Sequence, residues 1–210
     1  FYGCDSLTGI KIPNSVIEIG NDAFENSGLT SVTIPDSVEK IGYGAFENSK
    51  LVSVTLPNGL KKLTCNMFYC CSDLTSVVLP DSITSVESRV FANCASLKSI
   101  TIPEGVKNIP FETFARCTNL TSVVFPANIE SLEEGAFEDC VNLKSLTFKG
   151  NLPSSDVSFE NCTSLDEIRI PDWSVWSKNG GYRGLKLTAY TLKEYNLYVN
   201  DELVTNVVIP

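Results

Sequence analysis

Thiols, carboxylates and hydroxyls are the reactive groups available here, because the 210 residues include eight Cys and 25 Asp+Glu but no His. Without imidazole, the Ser-His-Asp and Cys-His arrangements, H-E-x-x-H zinc sites and any histidine acid–base step are excluded. The cysteines show no C-x-x-C spacing, so a zinc site lacks both its usual thiolate pair and the imidazoles to complete it. Neighbouring carboxylates such as Glu133-Glu134 are adjacent in the sequence and do not converge on one bond, so they are no glycosidase pair. No D-x-D-x-D-G loop or glycine-aspartate nonapeptide supplies a calcium site. With no nucleophile–base pair and no metal constellation, the expectation is a protein that is not an enzyme and takes no cofactor or metal. Sixteen Lys+Arg against 25 Asp+Glu give a net charge of −9, and no basic run offers phosphate contacts, so nucleic acid is not an expected partner. No apolar run approaches the ~20 residues a membrane helix needs, and no signal-peptide pattern opens the sequence.

What positions these groups is a repeat. The phrase L-T-S-V-T-I-P runs from Leu29 to Pro35 and returns from Leu51, Leu74, Leu97 and Leu120, with weaker copies from Leu7, Leu143 and Leu165. Successive leading leucines are 22 or 23 residues apart. After the Pro come apolar residues three and six positions on, then Phe, in a column of Phe1, Phe24, Phe46, Phe68, Phe91, Phe114, Phe137 and Phe159. The alternation in V-x-I has the period of a strand, and Pro ends it by removing a ladder N–H. The stretch back to the Phe carries apolar residues three apart, which suits a short turn-like or irregular arm. One such coil cannot bury its own apolar face. Coils must therefore stack into a solenoid whose strands form a parallel sheet ~4.8 Å apart.

The register also explains the thiols. Cys4, Cys71, Cys94, Cys117, Cys140 and Cys162 all fall three residues after the Phe, and Ser27 and Ser49 take that place in two of the 22-residue coils. A column of this kind predicts buried free thiols packing as small hydrophobes, with one disulfide as the alternative. Cys65 and Cys70 lie off the column beside Cys71, and either pair locally or lie exposed.

The pattern L-x-x-[VIL]-x-[VIL]-P followed by the A-F-x-x-C-x-x-L block resembles the BspA-like leucine-rich repeats, from residue 1 to about 171. The resemblance implies an α/β repeat solenoid: a right-handed superhelix with its parallel β-sheet on the concave face and irregular return arms. It also implies a secreted or cell-surface bacterial protein engaged in adhesion to host or neighbouring cells, with an extracellular-matrix or cell-surface protein as partner. The rival expectation is a spacer that presents another domain and has no partner of its own. The protein is expected to be a monomer with no inserted membrane segment.

Two surfaces are candidates for that partner. The outward strand positions carry small hydroxylated and β-branched residues, among them Thr33, Thr55, Val78 and Thr101, with Lys98, Lys144 and Arg169 as the charges. Such residues either form a broad docking face or simply suit exposed parallel strands. Residues 172–210 are expected to be one expanded, irregular repeat, because V-T-N-V-V-I-P from Val204 to Pro210 resumes the phrase. Its Trp173, Trp176 and Tyr182 either fill a thicker core or stand exposed as an interaction hot spot. Acidic residues concentrate on the return arms as a solvated rim. The sequence opens on the tail of a repeat and stops just after a strand, so both ends are expected to be cut within a longer array.

Overall fold

In the computed structural model the described residues are 1–150 and 159–170, together with the backbone of 196–199 and 202–204. Each coil places a V-x-I phrase in a main ladder: β2 (Ser31–Thr33), β4 (Ser53–Thr55), β6 (Ser76–Val77), β8 (Ser99–Thr101), β10 (Ser122–Phe125), β12 (Ser145–Phe148) and β13 (Glu167–Ile170). The phrase from Leu7 contributes only an isolated parallel bridge from Gly9 to Ser31. Pairing is parallel and in strict register, with Ser31 beside Ser53 and Ser53 beside Ser76, and with Ser99, Ser122, Ser145 and Glu167 following one another in the same way. The leading leucines Leu29, Leu51, Leu74, Leu97, Leu120 and Leu143 are fully buried beneath it, at 0% exposure.

After the strand the Pro carbonyl accepts an N–H from the apolar residue three positions on, at 3.0–3.1 Å for Val16, Val38, Leu60, Ile83 and Val106. This turn aims the backbone into a second, shorter parallel ladder. Its strands are β1 (Glu18–Ile19) with β3 (Lys40–Ile41), β5 (Lys62–Leu63) with β7 (Ser85–Val86), and β9 (Asn108–Ile109) with β11 (Ser131–Leu132). Each of these strands leaves one polar residue outward and one apolar residue in the core.

The third segment holds the phenylalanines. Phe1 through Phe159 form an unbroken file of near-parallel rings with centroids 5.3–5.7 Å apart. Offset stacking is the arrangement the ring quadrupole favours, worth ~0.5–1.5 kcal/mol per pair beyond area burial. The residue two before the Phe has positive φ at Asp22, Gly44, Asn66, Arg89, Glu112 and Gly135, and the residue two after has it at Gly3, Asn26, Asn48, Cys70, Asn93, Arg116, Asp139 and Asn161. Residues of the second set send their N–H groups to a neighbouring coil, as in Asn48 to Tyr69 O (2.7 Å) and Arg116 to Glu138 O (2.7 Å).

That alternation corrects the α/β expectation. A left-handed residue on each side of the Phe cannot lie within a right-handed helix, and the described residues contain no helix. The protein is a parallel-strand β-solenoid, and the return arm is strand plus left-handed turns.

At the far end the slot beside β13 goes to β14 (Asn196–Val199), parallel, with Glu167 beside Asn196. β15 (Glu202–Val204) then folds back antiparallel along β14. Val204 therefore lies in a reversed strand, and the rest of the Val204–Pro210 phrase lies outside the described residues.

Candidate partner-binding surface

Strand pleating decides which side chains face out. Val32, Val54, Val77, Ile100, Val123 and Leu146 point into the core, so their neighbours on either side form the outer face. These neighbours make two columns, and the residue just before each strand adds another, with one residue per coil in each. The first runs Thr30, Val52, Thr75, Lys98, Thr121, Lys144 and Asp166; the second is serine from Ser31 to Ser145 and ends at Glu167; the third runs Thr33, Thr55, Val78, Thr101, Val124, Thr147 and Arg169.

The structure brings seven of the ten sequence-predicted residues onto this one face. Thr33, Thr55, Lys98, Thr101 and Lys144 are exposed, and Val78 is the most open large apolar side chain of the described residues, at 83%. Arg169 is only half-buried and its guanidinium is held by Glu167 two residues away, so the charged end of the face is internally paired. Trp173, Trp176 and Tyr182 lie outside the described residues. Hydroxyls in the first column are partly engaged: Thr30, Thr75 and Thr121 donate to the carbonyls of Thr8, Val52 and Lys98 one coil back, at 3.0–3.3 Å. Serines of the second column and threonines of the third present hydroxyls that can meet a partner's donors and acceptors.

The thiols lie elsewhere. All eight are free; Cys71, Cys94, Cys117 and Cys140 are buried, Cys162, Cys65 and Cys70 are half-buried, and Cys4 is exposed. Each column thiol from Cys71 onward donates to the carbonyl of the Phe in the preceding coil: Cys71 to Phe46, Cys94 to Phe68, Cys117 to Phe91, Cys140 to Phe114 and Cys162 to Phe137, all at 3.0–3.2 Å. Burial pushes the Cys71 and Cys117 thiols up to about 12. Burial also raises Cys94, and contact with Cys162 followed by burial raises Cys140. Thiolate chemistry is therefore suppressed at Cys71, Cys94, Cys117 and Cys140. Among the described residues no group of three or more thiols and carboxylates is placed to hold a metal ion.

One surface escaped the sequence reading. On the return arms Tyr43 and Phe111 are 46% and 38% exposed, and the Arg89 guanidinium lies over the Phe111 ring, 5.4 Å from its centroid, while pairing with Glu112. Carboxylates flank this strip. Glu47, pushed up by burial and opposed by the Asn66 amide, in turn raises Tyr43, with smaller contributions from burial and from Asp22. The available signal was positional: Tyr43 and Phe111 occupy the place three before the Phe, which holds Asn21, Cys65, Ser88 and Glu134 in other coils.

A parallel solenoid with one strand phrase per 22–23 residues, a buried leucine file and an open strand face is a leucine-rich-repeat scaffold. A family model of the BspA type leucine rich repeat region, six copies long, matches residues 1–118 and again 84–202. The protein belongs to that family. Among solved structures it is similar to a leucine rich cell surface protein from Faecalibacterium prausnitzii, at 27% identity and TM-score 0.55, covering 79% of this sequence and 54% of that one. It shares the fold of the pneumococcal vaccine antigen PcpA at 21% identity and TM-score 0.52, covering 87% of this sequence and 54% of that one. The 210 residues thus span about half the length of these two structures. No curated protein sequence matches significantly.

Proposed function

We propose that this protein is a non-catalytic interaction module of a secreted or cell-surface protein, acting in adhesion to host or neighbouring cells. It binds through the strand face, taken as the concave side of the superhelix, with the aromatic stretch around Trp173, Trp176 and Tyr182 as a second contact. The partner is an extracellular-matrix or cell-surface protein, the module acts as a monomer, and residues 172–210 form an expanded repeat of the same solenoid. The carrying observation is the face itself: aligned columns of Ser and Thr, largely exposed, with Val52 and Val78 open and only Lys98 and Lys144 as exposed cations among the described residues of these columns. A flat, weakly charged, hydroxyl-rich surface suits hydrogen bonding to a protein across several coils. Membership of a repeat family and likeness to a cell surface protein support the reading.

Carboxylates introduced together at Thr55, Thr101, Lys98 and Lys144 test it, with the protein immobilised and matrix proteins or cells offered. Binding should fall by an order of magnitude or more while the far-UV spectrum and melting temperature stay near wild type. Undiminished binding by the folded variant overturns docking through this face. A protein that captures nothing in either form is a spacer.

A further inference from the structure

We infer that Asn58-Gly59 is a site of spontaneous covalent modification, in which the native turn closes to a succinimide and opens to isoaspartate or aspartate. The four residues Pro57 to Leu60 form a tight turn closed by the Leu60 N–H on the Pro57 carbonyl at 3.1 Å. Asn58 and Gly59 are both exposed. Apart from its own chain neighbours, no atom lies within 4 Å of where a Gly59 side chain would begin, and the Gly59 N–H has no hydrogen-bond partner among the described residues. The nucleophile the reaction needs is thus a solvent-accessible, unbonded backbone nitrogen with no side chain to obstruct it.

The steps balance without an oxidant or co-reactant other than water. The Gly59 nitrogen, having lost its proton to solvent base, attacks Asn58 Cγ and forms the ring bond. The bond from Cγ to Nδ2 breaks, and that nitrogen leaves as ammonia with protons from water. Water then adds to either ring carbonyl and cleaves its bond to the ring nitrogen, giving aspartate or, with the backbone rerouted through the side chain, isoaspartate.

Asp36, one coil earlier, accepts the Asn58 backbone N–H at 2.8 Å and its amide at 3.3 Å. A single long, exposed hydrogen bond of the second kind to a carboxylate slows ring closure by on the order of tenfold, so it slows the site without closing it. It does give the modification a structural consequence. Residue 58 becomes a carboxylate facing Asp36 where an amide donor had been, and isoaspartate adds a methylene to the backbone of a coil whose neighbours are held in strict register. The contact between these two coils weakens, while distant coils, which touch only their own neighbours, are spared.

Asn14 is the built-in comparator: it occupies the same turn position, closed by Val16 N–H on Pro13 O at 3.0 Å, but is followed by Ser15. The native protein, incubated at mildly alkaline pH, is digested and its peptides weighed, and isoaspartate is counted by enzymatic methyl transfer. The expected result is a gain of about one mass unit at Asn58, several-fold faster than at Asn14, suppressed in a Gly59→Ala variant and accompanied by a lowered melting temperature. Equal rates at Asn58 and Asn14, indifference to Gly59→Ala, or modification only after unfolding in urea would each overturn the inference.

Discussion

At the scale of single residues, the column three after the Phe shows why a thiol suits it. Its S–H reaches the Phe carbonyl of the coil before, and the sequence supplies its own serine control. Ser27 Oγ is buried without a partner, and Ser49 Oγ meets the Cys71 sulfur at 3.3 Å and not the Phe24 carbonyl. A Cys117→Ser change should therefore leave a shorter hydroxyl stranded below Phe91 O and cost about 1–3 kcal/mol, read as a lower urea midpoint. A wild-type midpoint would show that the S–H contact is incidental. Alkaline pH probes the same groups. Cys71 and Cys117 hold their protons to about 12 in the folded protein, whereas an unfolded thiol ionises near ~8.5. The unfolded state sheds protons first, so the stability these thiols contribute is complete below pH ~8.5 and is lost as pH rises toward 12, at up to ~1.4 kcal/mol per pH unit for each. Urea titrations at rising pH should give a shallower decline for Cys117→Ala than for wild type, and equal slopes would refute the assignment. A thiol reagent on the native protein should label Cys4 first and leave the four buried thiols untouched.

At the scale of elements, the strand phrase and the return arm differ in how much of them the sequence makes legible. V-x-I-P specifies strand, facing and stop at once, so the main ladder, its register and the outward Thr33, Thr55 and Val78 follow from spacing alone. In the return arm the apolar spacing of three is shared by helices and turns. What excludes the helix is conformation at polar positions, and only some of them advertise it. Asn26, Asn48 and Asn93 are residues that tolerate positive φ, whereas Cys70, Arg89, Glu112 and Arg116 adopt it without such a preference. Arg89 and Arg116 gain ion pairs to Glu112, Glu138 and Asp139 in exchange. Cys70 carries no charge with which to form one. Cys70→Asn, matching Asn48 and Asn93, should stabilise by about 0.5–1 kcal/mol and raise the melting temperature by roughly 1–4 °C. A decrease would mean that the half-buried Cys70 sulfur contributes more by packing than its backbone costs. The tyrosine, phenylalanine and arginine strip was illegible for a related reason: it belongs to single coils and has no period.

At the scale of the molecule, stacking makes stability a sum of coil-to-coil contacts, so the weakest contact decides where the array opens. The main ladder is divided, with β2-β4-β6 in one sheet and β8-β10-β12-β13-β14-β15 in another. The division falls where β6 is cut to Ser76–Val77 and Val78 swings out to solvent. On either side of it Ile34 donates to Thr55 O and Ile102 to Val124 O, both at 2.9 Å, while the corresponding amides of Leu56 and Leu79 make no such bond to Val78 and Thr101. The Phe file and the Cys94–Phe68 contact cross the same level intact, so the core stays continuous while the sheet does not. Buried apolar contacts hold the coils together here, with backbone bonds at the start of the strand and along the return arm, such as Lys98 N–H to Thr75 O at 3.3 Å. The bonds at the strand end that elsewhere resist local opening are missing at Leu56 and Leu79. Hydrogen exchange resolved by residue should therefore show Leu56 and Leu79 exchanging at least ~tenfold faster than Ile34 and Ile102, the factor that a lost bond of about 1.4 kcal/mol produces. The shorter N-terminal sheet should also lose protection before the longer one as urea is raised. Uniform protection across these four amides would place the ladder's weakness elsewhere and make the array one cooperative unit. The break lies within the proposed docking face, between Thr55 and Thr101. For that face, Val78→Thr, which keeps the β-branch and matches Thr55 and Thr101, should leave the melting temperature unchanged and weaken partner binding through the exposed side chain itself. Unchanged binding by the folded variant would remove Val78 from the contact.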